Sequence, residues 1–123
     1  MPFAPATLEE AAEECYIGVE KVRHSARFMT VCLPCRPRMR DLSPAAVHVD
    51  NSARPQFVSR ESNADLYAIL RHVQEMTGAP SIINTSFNIH EEPIVCSPAD
   101  AVRAFVDGAL DYLAIGDLLV SRT

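Results

Sequence analysis

Residues 84 to 88 read Asn-Thr-Ser-Phe-Asn and close the apolar run Ser81-Ile82-Ile83. Asn84 and Asn88 bring amide donors and acceptors, and Thr85 and Ser86 bring rotatable hydroxyls. That set suits a small oxyanion, or a carbamoyl-type amide that must be both donated to and accepted from. The same residue types also build Asx and hydroxyl turns that merely close a loop. A second polar stretch, VHVDNSARPQF, alternates His48, Asp50, Ser52, Arg54 and Gln56 with Val47, Val49, Asn51, Ala53, Pro55 and Phe57. If extended, it aims five polar side chains one way. Arg54 is then the member suited to phosphate, because its planar fork meets oxygen pairs bidentately. Against this, Asp50-Asn51-Ser52 is turn material and Pro55 is awkward inside a sheet, so two strands around a turn are the competing reading.

The elements that would carry these residues are short. Thr7 to Cys15 suggests a helix capped by Thr7 with Glu10 at the capping-box position. RFMTVCLP, 27 to 34, reads as a strand, and CRPRMRDLSP as a turn-rich loop with a short helical turn. A clearer helix spans Ser62 to Thr77, with Ser62 as cap, Leu66, Ile69, Leu70, Val73 and Met76 on one face, and Gly78 and Pro80 as its stop. Another begins with Ser97 as cap, Pro98 at the first helical position and Asp100 closing the box; Ala101, Val102, Phe105 and Val106 form its buried stripe, and Gly108 ends it. The runs AAVHV, QFV, SII, PIVC, YLAI and LLV suit strands, and Gly116-Asp117 suggests a hairpin turn between the last two. Helices alternating with strands predict an α/β domain, a mixed sheet with packed helices.

The chain has 123 residues, net charge -5, 48% hydrophobic and 22% charged residues. That length fits one domain over 1–123, able to bury roughly two thirds of its unfolded surface. Scattered arginines and an acidic balance argue against nucleic acid as a partner. No apolar run approaches the roughly 20 residues needed to cross a bilayer. With no secretory signal visible, a cytoplasmic setting with reduced thiols is expected. Cys32 and Cys35 form a CLPC pair, half of a zinc or redox site if other ligands joined it, but a lone CxxC more often marks buried small side chains. No metal is expected in this chain. His24, His72 and His90 stand alone, with His72 on the solvent side of its helix. Glu91 and Glu92 read as loop surface, since adjacent residues on an extended chain point apart. No P-loop, GxGxxG or H-E-x-x-H occurs.

PFAPATLEE, RFMTVCLP, HVDNSARPQFVSR, GAPSIINTSFNIHEEPIVCSPADAV and LDYLAIGDLLV, in this order, resemble the C-terminal part of the carbamoyltransferase family that includes nodulation protein U and the cephalosporin and aminoglycoside O-carbamoyltransferases. The resemblance implies part of a YrdC-like domain. It would bind carbamoyl phosphate and ATP with Mg2+, form carbamoyl adenylate, and pass the carbamoyl group to a hydroxyl or amine acceptor. The transfer itself belongs to a sugar-kinase-like domain, in cis or in trans. Carried over by motif, Arg54, Asn84 and Ser86 would hold carbamoyl phosphate or its adenylate, with Thr85 and Asn88 as loop-shapers or adenylate contacts. Arg54 would neutralise phosphate charge while Asn84 and Ser86 orient the carbamoyl end.

Two departures from the family bear on this. A Lys-x-Arg-Glu-x-Phe-Arg segment usually precedes PFAP, so the chain is expected to lack several anion-binding cations, to be inactive in isolation, and to cover an open edge by pairing with a second copy. Glycine usually stands where this chain has Glu91, and a carboxylate there should disfavour an anion. The alternative function is a non-catalytic interaction module, or an inactive remnant that keeps the fold.

Overall fold

The computed structural model describes residues 3–122. They fall into two compact units, the first ending at Thr85 and the second beginning at Ser86. The first runs β1 (Ala4–Leu8), a 3-10 turn (Glu9–Ala11), α1 (Ala12–Cys15), α2 (Val19–Val22), a 3-10 turn (Ser25–Phe28), β2 (Leu33–Pro34), α3 (Pro37–Leu42), a 3-10 turn (Pro44–Ala46), β3 (Ser52–Ala53), β4 (Gln56–Val58), α4 (Ala64–Thr77) and β5 (Ser81–Asn84). The second holds α5 (Pro98–Asp107), β6 (Tyr112–Ile115) and β7 (Leu118–Ser121). The architecture is mixed α/β, as the alternation of elements predicts.

β1 is the middle strand of the main sheet, order β4-β1-β5. It pairs parallel with β4 through Ala6, Thr7 and Leu8, and antiparallel with β5 from Ala4 to Thr7. The expected helix from Thr7 is therefore corrected: Thr7 is a strand residue and helix begins only at Ala12. All five residues of β1 are buried. Pro5 fits because its register partner is Ile83 alone, before pairing with β4 begins, so only one neighbour could miss its N–H.

The two faces of β1 look into different cores. On one side Ala6 and Leu8 pack with Ala11, Val58 and Leu70 of α4. On the other, Tyr16, Val19, Leu33, Met39 and Phe57 form the larger cluster. Tyr16 locks that side. Its hydroxyl lies 2.8 Å from Thr7 Oγ1 and donates to Met39 Sδ at 3.5 Å, and its ring sits 5.8 Å from that of Phe57. A buried hydroxyl without such partners would cost about 1–3 kcal/mol. Burial also pushes the Tyr16 phenol well above the usual range.

α4 is capped by Asn63, whose side chain accepts from Leu66 N at 3.0 Å, rather than by Ser62, which bonds back to Ser59. Gly78 ends it in the left-handed conformation, φ 77°. The buried stripe is narrower than its spacing predicts: Leu70 is buried and Leu66 and Tyr67 pack beside it, whereas Ile69 and Met76 are exposed. The expected strand over 27 to 34 shrinks to Leu33–Pro34, because Ser25–Phe28 coils into a 3-10 turn and Met29 takes φ 55°. CRPRMRDLSP contains a true helix, α3. AAVHV is a 3-10 turn and loop, its Val47 packing on the larger core without pairing.

In the second unit α5 starts as its motif predicts. Ser97 Oγ accepts from Asp100 N at 3.2 Å and donates to Asp100 Oδ2 at 2.7 Å, which holds that carboxyl below its usual range. Ala101, Phe105 and Leu113 form a small core with Phe87 and Ile115 beside them. β6 and β7 make the expected hairpin, with Gly116 at φ 55° in its turn. PIVC is not a strand; it stays in the loop before α5.

Candidate functional site

The first unit gathers polar side chains at one end of its sheet, where β1 and β4 begin and β5 finishes. In register, Ala4 faces Asn84 and Ala6 faces Gln56. Registered side chains share a face, so the two carboxamides stand on the same side of the sheet as the buried Ala4 and Ala6. They meet there: Asn84 Nδ2 donates to Gln56 Oε1 at 2.7 Å. Arg54 is two residues upstream of Gln56 and at the same end. It is half-buried, and its Nη1 donates to the Met29 carbonyl at 3.3 Å. The left-handed turn at Met29 thus presents an acceptor that orients the guanidinium.

Beside Gln56 lies a cleft of about 230 Å³, lined also by Arg27, Phe28, Ser62 and Asn63. The 3-10 turn Ser25–Phe28 brings Arg27 there, with Nη2 3.3 Å from Glu9 Oε2. Arg27 Nε is buried and has no hydrogen-bond partner among the described residues. Arg27 is not legible from an extended pattern over 27 to 34, because the coil at Ser25–Phe28 is what sets it beside β4. A larger groove, about 360 Å³, runs along the outer face of α4 between Arg60, Tyr67, Arg71 and Glu75. It is an open surface feature lined by none of Arg54, Gln56 and Asn84.

The stretch VHVDNSARPQF folds as turns and two short strands, so His48, Asp50, Ser52, Arg54 and Gln56 do not form one extended row. Asn51 sits at φ 65°, a conformation that asparagine tolerates, and its backbone and side chain both bond Cys35. Asp50 Oδ1 accepts from Ser52 N at 3.0 Å and from Ser52 Oγ at 2.7 Å, which holds its carboxyl below the usual range. With the Ser52 proton given to Asp50, Ser52 Oγ accepts from His48 Nδ1 at 3.2 Å. That chain sets the His48 tautomer and braces the turn leading into Arg54.

The polar run itself is divided. Asn84 ends β5, Thr85 is the last residue of the first unit, and Ser86 and Asn88 belong to the second. In the second unit Ser86 Oγ donates to Asn88 Oδ1, and Asn88 Nδ2 donates to the carbonyls of Ile89 at 3.0 Å and Glu92 at 3.1 Å. Asn88 is thereby the staple of its own loop. Thr85 and Ser86 are exposed.

The model of the carbamoyltransferase C-terminus matches residues 1–122. The chain belongs to that family. Among curated relatives, nodulation protein NolNO of Sinorhizobium fredii is 41% identical over 121 residues, 98% of this chain and 18% of that protein. An uncharacterized protein of Methanocaldococcus jannaschii is 38% identical, across 98% of this chain and 19% of its own length. Nodulation protein U of Rhizobium tropici is 31% identical, across 98% and 20%. The chain thus spans about a fifth of the length of the curated relatives it matches.

Set in a carbamoyltransferase C-terminal region, Glu91 acquires a structural reading. Its φ is 67°, the left-handed region where glycine is at ease and a Cβ costs about 1–2 kcal/mol. Glu91 is exposed, while Glu92 pairs with Arg103 of α5 at 3.1 Å. The thiols lie in unlike surroundings. Cys15 and Cys35 are buried and pushed up to about 11 by desolvation, while Cys32 and Cys96 are exposed. Among the described residues no group of three or more His, Cys, Asp or Glu is placed to hold a metal ion, and no helix is long and apolar enough to cross a membrane. His72 and His90 are exposed, and His24 stacks edge-on against Phe28 at 5.5 Å.

Proposed function

We propose that this chain is the part of a carbamoyltransferase that receives carbamoyl phosphate, with ATP, and prepares the carbamoyl group as its adenylate for transfer to a hydroxyl or amine. The observation that carries this reading is the Asn84–Gln56 carboxamide pair at the end of the sheet, two residues after Arg54, in a chain of this family. A guanidinium held by a backbone carbonyl and, two residues on, a pair of carboxamides suit a ligand with an anionic end and an amide end. Arg54 balances the phosphate charge, and Asn84 orients the carbamoyl end. Ser86, Thr85 and Asn88 follow directly in the chain as contacts or loop-shapers. Magnesium arrives with the nucleotide phosphates. The transfer step and the acceptor site fall to a sugar-kinase-like domain in cis or in trans, in keeping with relatives some five times longer.

Calorimetric titration of the chain with carbamoyl phosphate, with and without ATP and magnesium, tests the reading. The expected result is weak binding that falls at least about tenfold in Arg54→Ala, the scale of a charged hydrogen bond worth about 1.5–3 kcal/mol. Unchanged affinity in that variant removes Arg54 from the site. No heat at millimolar ligand favours the interaction-module alternative.

A further inference from the structure

The outer strand of the second unit's hairpin, β7, has a single neighbour, since β6 and β7 form a sheet by themselves. Arg122 N bonds the Asp111 carbonyl, and bonded pairs alternate along an antiparallel ladder, so Val120 with Leu113 and Leu118 with Ile115 are the other bonded pairs. The N–H and C=O of Leu119 and Ser121 therefore point away from β6, and no backbone hydrogen bond among the described residues uses them. Edge strands of native proteins are usually blunted by a charge, a proline or a bulge. β7 reads Leu-Leu-Val-Ser in unbroken register and has none of these, and Leu118 and Leu119 are 68% and 73% exposed.

Charge stands just outside the strand, with Asp117 before it and Arg122 after it. Unlike signs at the two ends suit one arrangement. A second copy laid antiparallel along this edge brings the acid of each near the base of the other, whereas a parallel copy sets like against like. A two-fold axis keeps each side chain on its own side of the sheet, so it admits only registers that pair residues of the same face. One such register sets Leu119 against Leu119 of the second copy, Val120 against Leu118 and Ser121 against Asp117, with Arg122 one step from that Asp117. Its ladder bonds use the outward groups of Leu119 and Ser121. Sliding the axis to Val120 sets Leu118 against Arg122 instead, an apolar side chain against a guanidinium.

We propose that the open edge of β7 is a self-association surface, where two copies of this chain join antiparallel about Leu119 so that one sheet runs through both hairpins. The inference is independent of the carbamoyl-phosphate reading. A contact of this size lies at the weak end of specific interfaces.

Sedimentation equilibrium of the whole chain from about 10 µM to about 1 mM is expected to show monomer passing to dimer. Leu119→Lys, at an exposed position, sets like charges on the two-fold axis and should weaken association at least about tenfold. Arg122→Glu should weaken it as well, and Asp117→Arg added to that variant should restore it. In hydrogen exchange of the unaltered chain, free of any folding effect, the Leu119 and Ser121 amides should slow severalfold as concentration rises, while those of Val120 and Arg122, already bonded to β6, change less. A chain that stays monomeric at about 1 mM overturns the inference and leaves the edge to another occupant, such as the remainder of a longer polypeptide. A dimer that tolerates Leu119→Lys, or whose Leu119 amide exchanges at an unchanged rate, overturns it too, by placing the contact on another face.

Discussion

The two units solve the same problem with unequal means. The first surrounds its central strand with two cores, one of them built on Tyr16, Phe57 and Met39, each about 1% exposed. The second rests on Ala101, Phe105 and Leu113, and its last strand is exposed along its whole length. Polar residues are placed accordingly. In the first unit Asn84 and Gln56 stand on paired strands, so their geometry is inherited from a sheet. In the second, Ser86 and Asn88 hold their loop by bonding to it and to each other. A side chain seated on a packed sheet is preorganised for a ligand, whereas one that must build its own loop spends its hydrogen bonds on structure.

The sharpest way to break that contrast is to empty each core in turn. Phe57→Ala should cost about 3–5 kcal/mol and, in hydrogen exchange, strip protection from β1, β4 and β5 together. Phe105→Ala should lower protection in 86–122 while the β1 amides stay slow; equal loss in both units would show that they unfold as one. Next comes Thr7→Val, which leaves the Tyr16 hydroxyl with only a sulfur partner and should cost about 2 kcal/mol by denaturant melting. Ser97→Ala removes the cap of α5 and should cost about 1 kcal/mol, read as faster exchange in its first turn. The smallest effect has the opposite sign. Glu91→Gly relieves the left-handed strain and should stabilise the loop by up to about 1 kcal/mol, seen as slower exchange at Glu92 N, which bonds Ile89 O at 2.9 Å.

What was legible in the sequence follows from how local its cause is. Ser97, Pro98 and Asp100 act on one helix turn, and Gly116-Asp117 on one hairpin, so both elements stand where the residue types put them. The α/β class was also legible from the alternation of patterns. β1 was not, since Ala and Pro are poor strand formers that outweigh Thr7, and its pairing comes entirely from β4 and β5. AAVHV and PIVC failed for the converse reason: an apolar run fits a strand only if an edge is offered to it. Of the polar candidates, Asn84 ends β5 and Arg54 lies two residues before Gln56, and the pairing of Asn84 with Gln56 shows only once the register is known.

The order in which the main sheet is made has its own consequence. Its middle strand is the first synthesised, while its neighbours β4 and β5 follow dozens of residues later. At about 5–20 residues per second on the ribosome, β1 waits several seconds for the edges that define it. A stretch rich in valine or isoleucine would spend that interval as a sticky tape. Ala4-Pro5-Ala6-Thr7 is instead nearly inert, and becomes a strand only when both partners have arrived.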